Sequence, residues 1–224
     1  MPMKVVCFGN AAMVKQCRLN VDSKVTFGPH AVYVSDLKGV NKNDTVVVYT
    51  HGGYDTKGDD PKSAYATNIA EVSLGGDEKS AKSPTQFLAY LREHGLPDYV
   101  DGLKLVLHIC HSAGTIEEGR TRPPDTDGGK KPEHRRRPSA TFAYSLCEAM
   151  KADYPELRVL GYQGTMGAGF AGMPAEGMEH LAGGRAQPSM SSCRMEYAVQ
   201  DTEDGELLVV LDGHGENIVW RKQQ

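Results

Sequence analysis

Two short apolar runs, Thr45 to Tyr49 (TVVVY) and Leu103 to Leu107 (LKLVL), limit the fold more than anything else in the chain. Both are rich in branched side chains and bounded by turn formers, the pattern of strands buried on both faces of a parallel sheet. Each runs straight into a polar, glycine-containing segment. Thr50-His51-Gly52-Gly53 follows the first, and His108-Ile109-Cys110-His111-Ser112-Ala113-Gly114 follows the second. In an open α/β sheet ligands bind just beyond the carboxyl ends of the strands, so both segments fall on the working edge.

What joins the two runs supports a parallel crossover. Ser83-Pro84-Thr85-Gln86 reads as a capping box with proline at the first helical position; Phe87, Leu88 and Leu91 follow on one face, and Gly95 is a stop. The pattern then repeats. Phe142, Leu146 and Met150 recur at helical spacing, Pro155 ends that region, and Arg158 to Tyr162 (RVLGY) reads as the next strand. Lys4 to Phe8 is a first strand and Ala31 to Ser35 a weaker one, with the stretch between them unassigned. At the far end, Arg194 to Val199 and Glu206 to Leu211 flank Glu203-Asp204-Gly205 as a hairpin, and Ile218 to Trp220 adds a further strand, so the tail is expected to be antiparallel.

Two segments read as irregular. Glu117 to Pro138 holds seven arginines and lysines among prolines, glycines and acids with almost no apolar anchor, and is expected to be an exposed loop. From Gly164 to Gly184 glycine recurs often enough to suit a mobile binding loop or close backbone packing better than a regular element.

A chain of 224 residues fits one α/β domain spanning 1–224. With 24% charged and 39% hydrophobic residues it has the balance of a soluble protein. No run reaches the roughly 18 apolar residues of a spanning helix, and Met1 to Phe8 is too short and too soon followed by Asn10, Lys15 and Arg18 for a signal peptide. The expected location is therefore cytoplasmic, or the cytoplasm of another cell if the protein is delivered as an effector, with no membrane partner. A net charge of −4 gives no case for nucleic acid. Cys7, Cys17, Cys110, Cys147 and Cys193 form an odd set with no close pairs, against a disulfide framework or a zinc module.

A thiol near neutral pH is a modest nucleophile unless an imidazole takes its proton or stands beside it as a cation. His51 and Cys110 can supply that pair. They are about 60 positions apart, but two parallel strands joined by a crossover bring their ends side by side. Glycine after His51 leaves backbone N–H groups unobstructed, so Gly52 and Cys110 are the candidate oxyanion donors. His30, His94, His108, His134, His180 and His214 show no metal-ligand spacing and are read as structural. This chemistry needs no metal and no organic cofactor.

The arrangement resembles the caspase-like clan of cysteine peptidases, which includes caspases, metacaspases, clostripain, gingipain, legumain, separase and the self-cleaving domains of large bacterial toxins. Three blocks over roughly residues 45–165 carry the likeness. They are Val46 to Gly52, a strand ending in His-Gly; Leu105 to Cys110, a strand ending in the nucleophile and followed by Ser112, Ala113 and Gly114; and Thr141 to Leu146 leading to Arg158 to Tyr162. Caspases likewise have their histidine about 50 residues before the cysteine. The resemblance implies a three-layer α/β/α fold with a mostly parallel sheet. It also implies an endopeptidase working through a Cys-His dyad and an acyl-enzyme, with a protein or peptide substrate. Where caspases have Gln-Ala before the cysteine this chain has His108-Ile109, so specificity for aspartate does not carry over. Glu176, Glu179 and Asp212 would favour a basic residue before the scissile bond if they line that pocket.

Three rival readings use the same residues. Cys110 to Gly114 is similar to a serine nucleophile elbow with its first glycine replaced, and His51 to Tyr54 to an esterase oxyanion loop, which makes Ser112 the nucleophile; Asp212 and His214, the candidates for the acid and histidine that must follow, are too close together for separate loops of that fold. A catalytically inactive, caspase-like binding module is the second. The third treats each residue alone: a cysteine at a strand end is usually a small buried hydrophobe, and a loop histidine a solvated surface group. The arginines of 117–138 would by default only keep a loop soluble. The sharper expectation is a self-cleavage linker or an anion-binding segment, since they follow the nucleophile where caspases carry their interdomain linker.

Overall fold

A computed structural model describes residues 3–24, 26–54, 65–68, 82–110, 112–113, 141–162, 165–166, 177–178, 194–202, 205–212 and 217–220. The expected loop 117–138 lies outside these residues, as do His111, Cys193, Glu176 and Glu179.

The apolar runs form the strands that their branched side chains favour. They are β1 (Met3–Cys7), β2 (Ala31–Tyr33), β3 (Thr45–Tyr49), β6 (Lys104–His108) and β7 (Arg158–Tyr162). Between β3 and β6 stand β4 (His51–Tyr54) and β5 (Tyr65–Asn68), which pair with each other as a separate antiparallel ribbon. Beyond β7 come the short antiparallel pair β8 (Thr165–Met166) and β9 (Gly177–Met178), then β10 (Arg194–Thr202), β11 (Gly205–Asp212) and β12 (Asn217–Trp220).

One eight-stranded sheet runs in the order β12-β11-β10-β7-β6-β3-β1-β2. Strands β2, β1, β3, β6 and β7 are mutually parallel, and β10 adds antiparallel to β7, β11 to β10 and β12 to β11. The parallel core and the antiparallel tail expected from the sequence are both present. β3 lies beside β6 in register, Tyr49 opposite His108, which brings the two polar segments to one edge.

Helix α1 (Ala11–Asp22) fills the stretch left unassigned in the sequence, capped by Asn10, whose side chain accepts from the Met13 N–H at 3.0 Å. Its buried residues are Cys17, Asn20 and Val21, too few and too polar to write an apolar stripe. Helix α2 (Pro84–Glu93) starts at Ser83 with both halves of the capping box formed. It ends at Gly95, whose φ of +95° a residue with a Cβ resists and whose neighbour Lys38 leaves no room for one. Helix α3 (Phe142–Met150) is capped by Thr141, buried and hydrogen-bonded to the Tyr197 hydroxyl at 3.0 Å.

Strand alternation sorts the core in two. Val46, Val48, Leu105, Leu107 and Ile109 pack with α2 and α3 through Phe87, Leu91, Phe142 and Leu146. Val5, Cys7, Val47, Tyr49, Val106 and Leu160 face the other way, against Cys17 and Val21 of α1. Residues of α1 thus cluster with one set of strand side chains, and those of α2 and α3 with the other. Among the described residues no helix is long and apolar enough to cross a membrane.

Candidate active site

Cys110 follows β6 within a tight turn closed by the Ser112 N–H donating to the Ile109 carbonyl at 3.3 Å. Two further backbone bonds hold this turn. The Ala113 N–H donates to the Tyr162 carbonyl at 2.9 Å, and the Ala143 N–H at the start of α3 donates to the Ser112 carbonyl at 2.8 Å. The turn is therefore anchored both to the end of β7 and to a helix terminus.

Parity decides which way Cys110 looks. Ile109 packs with the α2 and α3 face, whereas the half-buried Cys110 packs at the margin of the α1 face, beyond Val106 and His108. Cys7, Cys17 and Cys147 are all buried, so among the described cysteines Cys110 has the most access to solvent. Cys147 is a core thiol on α3 whose pKa burial pushes up to about 12.

His51 begins β4 and is half-buried, and that burial lowers its pKa from the ordinary 6.5. A neutral imidazole at physiological pH is the form that accepts a proton. The next residue brings the two segments together. A Cβ on Gly52 would lie 2.5 Å from the carbonyl oxygen of Cys110 and 3.4 Å from its nitrogen, and closer still to a methyl of Ile109. No other residue fits without moving the Cys110 turn. The backbones of Gly52 and Cys110, the two candidate oxyanion donors, are in contact.

Beneath them runs a row of side chains on the α1 face. Cys7, Tyr49 and His108 are register partners on β1, β3 and β6. His108 stacks on Tyr49 with ring centroids 4.9 Å apart and meets Phe27 and Tyr162 edge-on. It is fully enclosed, its Nε2 has no hydrogen-bond partner, and burial pulls its pKa down to about 4, so it packs as a neutral aromatic ring. Burial, followed by the charges of Cys17, Cys7 and Cys110, pushes the Tyr49 phenol up.

Ser112 is placed against its proposed role as nucleophile. Its hydroxyl is buried, donates to the Ile109 carbonyl at 2.9 Å with the Leu107 carbonyl at 3.3 Å, and accepts from the Tyr162 N–H at 3.0 Å. A hydroxyl so engaged joins β6 to β7 through backbone groups, which counts against the nucleophile-elbow reading. His94 bonds the Tyr90 carbonyl through Nδ1 at 2.8 Å, and His30 is exposed.

Sequence reading missed the α1 face as a unit. Nothing in the spacing of Cys7, Cys17, Tyr49 and His108 links them before the sheet order is known. No protein-family model matches the chain, and no curated protein matches it significantly.

Proposed function

We propose that the chain is a cysteine endopeptidase with a caspase-like three-layer α/β/α fold. The observation that carries this reading is the contact of Gly52 with Cys110, which joins a half-buried histidine and a half-buried cysteine at the carboxyl ends of adjacent parallel strands. Helices clustered with each of the two sets of strand side chains, and a sheet with an antiparallel tail, support the fold.

In this mechanism His51 takes the Cys110 thiol proton, and the thiolate attacks the carbonyl carbon of the scissile peptide. The N–H groups of Gly52 and Cys110 hold the oxyanion. As the tetrahedral intermediate collapses, His51 returns the proton to the leaving amine, and a thioester remains on Cys110. Water, deprotonated by His51, then releases the carboxylate and restores the thiol. The substrate is a protein or peptide, and no metal or organic cofactor enters. Cleavage within 117–138 after the nucleophile would be self-processing, read as a loss of intact mass with age.

Labelling with iodoacetamide and with a serine-directed phosphonate tests the reading. Selective alkylation that is lost in Cys110→Ala, slowed in His51→Ala and kept in Ser112→Ala is expected, with peptide hydrolysis reduced roughly 10⁴-fold or more in Cys110→Ala. Because burial lowers the His51 pKa, the acid limb of the rate profile should lie below pH 6.5. Phosphonate labelling that depends on Ser112 would sink the proposal in favour of an esterase. Reaction with neither reagent would leave a binding module.

A further inference from the structure

The alternation that turns Cys110 toward the α1 face carries charged residues of β6, β7 and β10 to the same side. Lys104 shares its parity with Val106, and Arg158 with Leu160 and Tyr162. On β10 the buried Glu196 lies with them, because Arg158 sets its Nε and an Nη nitrogen on one Glu196 carboxylate oxygen. Arg194, two residues before Glu196 and the register partner of Tyr162, falls on that face too. Met195 and Tyr197 go the other way, into the core under α2 and α3.

The charge of this patch does not balance. Lys104 and Arg158 are register partners on neighbouring strands, an arrangement in which like charges repel. Among the described residues of the patch three cations share one carboxylate, a positive excess in a chain whose net charge is −4. Burial lowers the Lys104 pKa from the ordinary 10.5, and the charges of Arg158 and Arg194 lower it further, opposed by Glu196. Arg158 and Arg194 are exposed and Lys104 is half-buried, so the excess meets solvent. Helix α1 lies mainly over β1 and β2, on the far side of the sheet order. Cations held together in this way cost stability unless an anion neutralises them.

We propose that Lys104, Arg158 and Arg194 form a docking surface for an acidic segment of the polypeptide substrate, set apart from the bond that is cut. That the segment belongs to a substrate rests on the reading of Cys110 as the nucleophile. Arg194 stands two strands from β6, roughly 10 Å across the sheet, and Lys104 precedes Cys110 by a length of strand that spans roughly 20 Å. An extended peptide covers that distance with about six residues, so acidic side chains within about six residues of the scissile bond reach the cluster. Arg158 and Arg194 sit at opposite ends of the β7–β10 ladder, which suits carboxylates strung along a chain better than one small anion. Each arginine offers a carboxylate a planar fork, and Lys104 adds a point charge.

The test uses the full chain as Cys110→Ala, which leaves a peptide uncut, and two fluorescein-labelled peptides identical except for a run of glutamates or of glutamines. At low salt, fluorescence anisotropy should show the glutamate peptide binding roughly tenfold tighter, an advantage that shrinks as salt is added. Arg194→Gln, at an exposed position, should reduce it severalfold. Adding Lys104→Met, which keeps the alkyl stem, should remove it while the melting temperature holds or rises, because the repulsion is relieved. Equal affinity for the two peptides would overturn the proposal. So would a glutamate preference that survives both substitutions, which would assign acid binding to the basic stretch 117–138, or displacement of the peptide by micromolar inorganic phosphate, which would make the cluster a small-anion site. Tight binding of the glutamate peptide without hydrolysis by the wild-type chain would fault the reading of Cys110 and leave the docking surface standing.

Discussion

The two faces of the sheet are equally buried and chemically unlike. The face under α2 and α3 is filled by Val46, Val48, Leu105, Leu107, Phe87 and Phe142, with Cys147 as a thiol that burial keeps protonated. The face under α1 holds Cys7, Cys17, Tyr49, His108 and Tyr162, with Cys110 at its margin. Same strands, same register, opposite parity: Leu105, Leu107 and Ile109 go one way, and Val106, His108 and Cys110 the other. The difference teaches that one face is filled mainly by aliphatic and phenylalanine side chains, while the other lines up Cys7, Tyr49 and His108 beneath Cys110.

If that division holds, the largest loss of stability comes from the face without chemistry. Phe142, 2% exposed, packs edge-on against Phe87 at 5.7 Å. Phe142→Ala should destabilise the protein by about 4 kcal/mol in urea titration. A smaller loss than any substitution on the α1 face causes would break the comparison.

The next effect belongs to His108 and depends on pH. Its pKa is about 4 in the folded protein against 6.5 for an ordinary histidine, so between those values the unfolded chain binds the proton and the native ring does not. Stability therefore rises with pH across that window and is lost as pH falls, by about 3 kcal/mol from this residue alone. His51, lowered in the same direction, adds with the same sign. His108→Leu should flatten the dependence between pH 6.5 and 4 in thermal melts and cost little at pH 8, because it removes a buried Nε2 that has no partner. An unchanged slope would show that the ring is not neutral in the folded state.

The strands of this sheet were legible because branched residues in short runs have few alternatives. TVVVY is observed as read, and RVLGY likewise. Helix α2 was legible from its cap. Helix α1 was not, because its buried residues include Cys17 and Asn20, and β4 was not, because a Gly-Gly segment carries no strand propensity and pairs only through the distant Tyr65–Asn68. Cys110 and His51 could be proposed from two strand ends, but the tightness of their junction could not. It rests on Gly52 meeting Ile109 and Cys110 across the sheet edge, a long-range contact with no local signature. The engagement of Ser112 was illegible for a related reason. Its position two residues after Cys110 is that of an elbow, and only the closing of the turn onto β7 shows the hydroxyl spent on backbone.

That hydroxyl provides a finer cut between structure and chemistry at the same turn. Ser112→Ala removes the acceptor for the Tyr162 N–H and leaves that buried donor unsatisfied, so a loss of about 2 kcal/mol is expected. Alkylation of Cys110 should persist at a rate within a few fold of wild type under native conditions. If Ser112→Ala abolished thiol reactivity while the protein stayed folded, the turn would be more than an anchor.

The smallest effect lies farthest from the sheet edge, at the start of α2. The Ser83 hydroxyl accepts from the Gln86 N–H at 3.3 Å, and the Gln86 side chain accepts from the Ser83 N–H at 2.9 Å. Ser83→Ala removes one half of this box and should cost about 1 kcal/mol, measured by urea titration. Helix α2 packs only on the face opposite Cys110, through Phe87, Leu88 and Leu91. The rate at which iodoacetamide reaches Cys110 should therefore not change. A change in that rate from so remote a cap would mean that the two faces of the sheet are coupled, and that their separation into cohesion and chemistry holds only at rest.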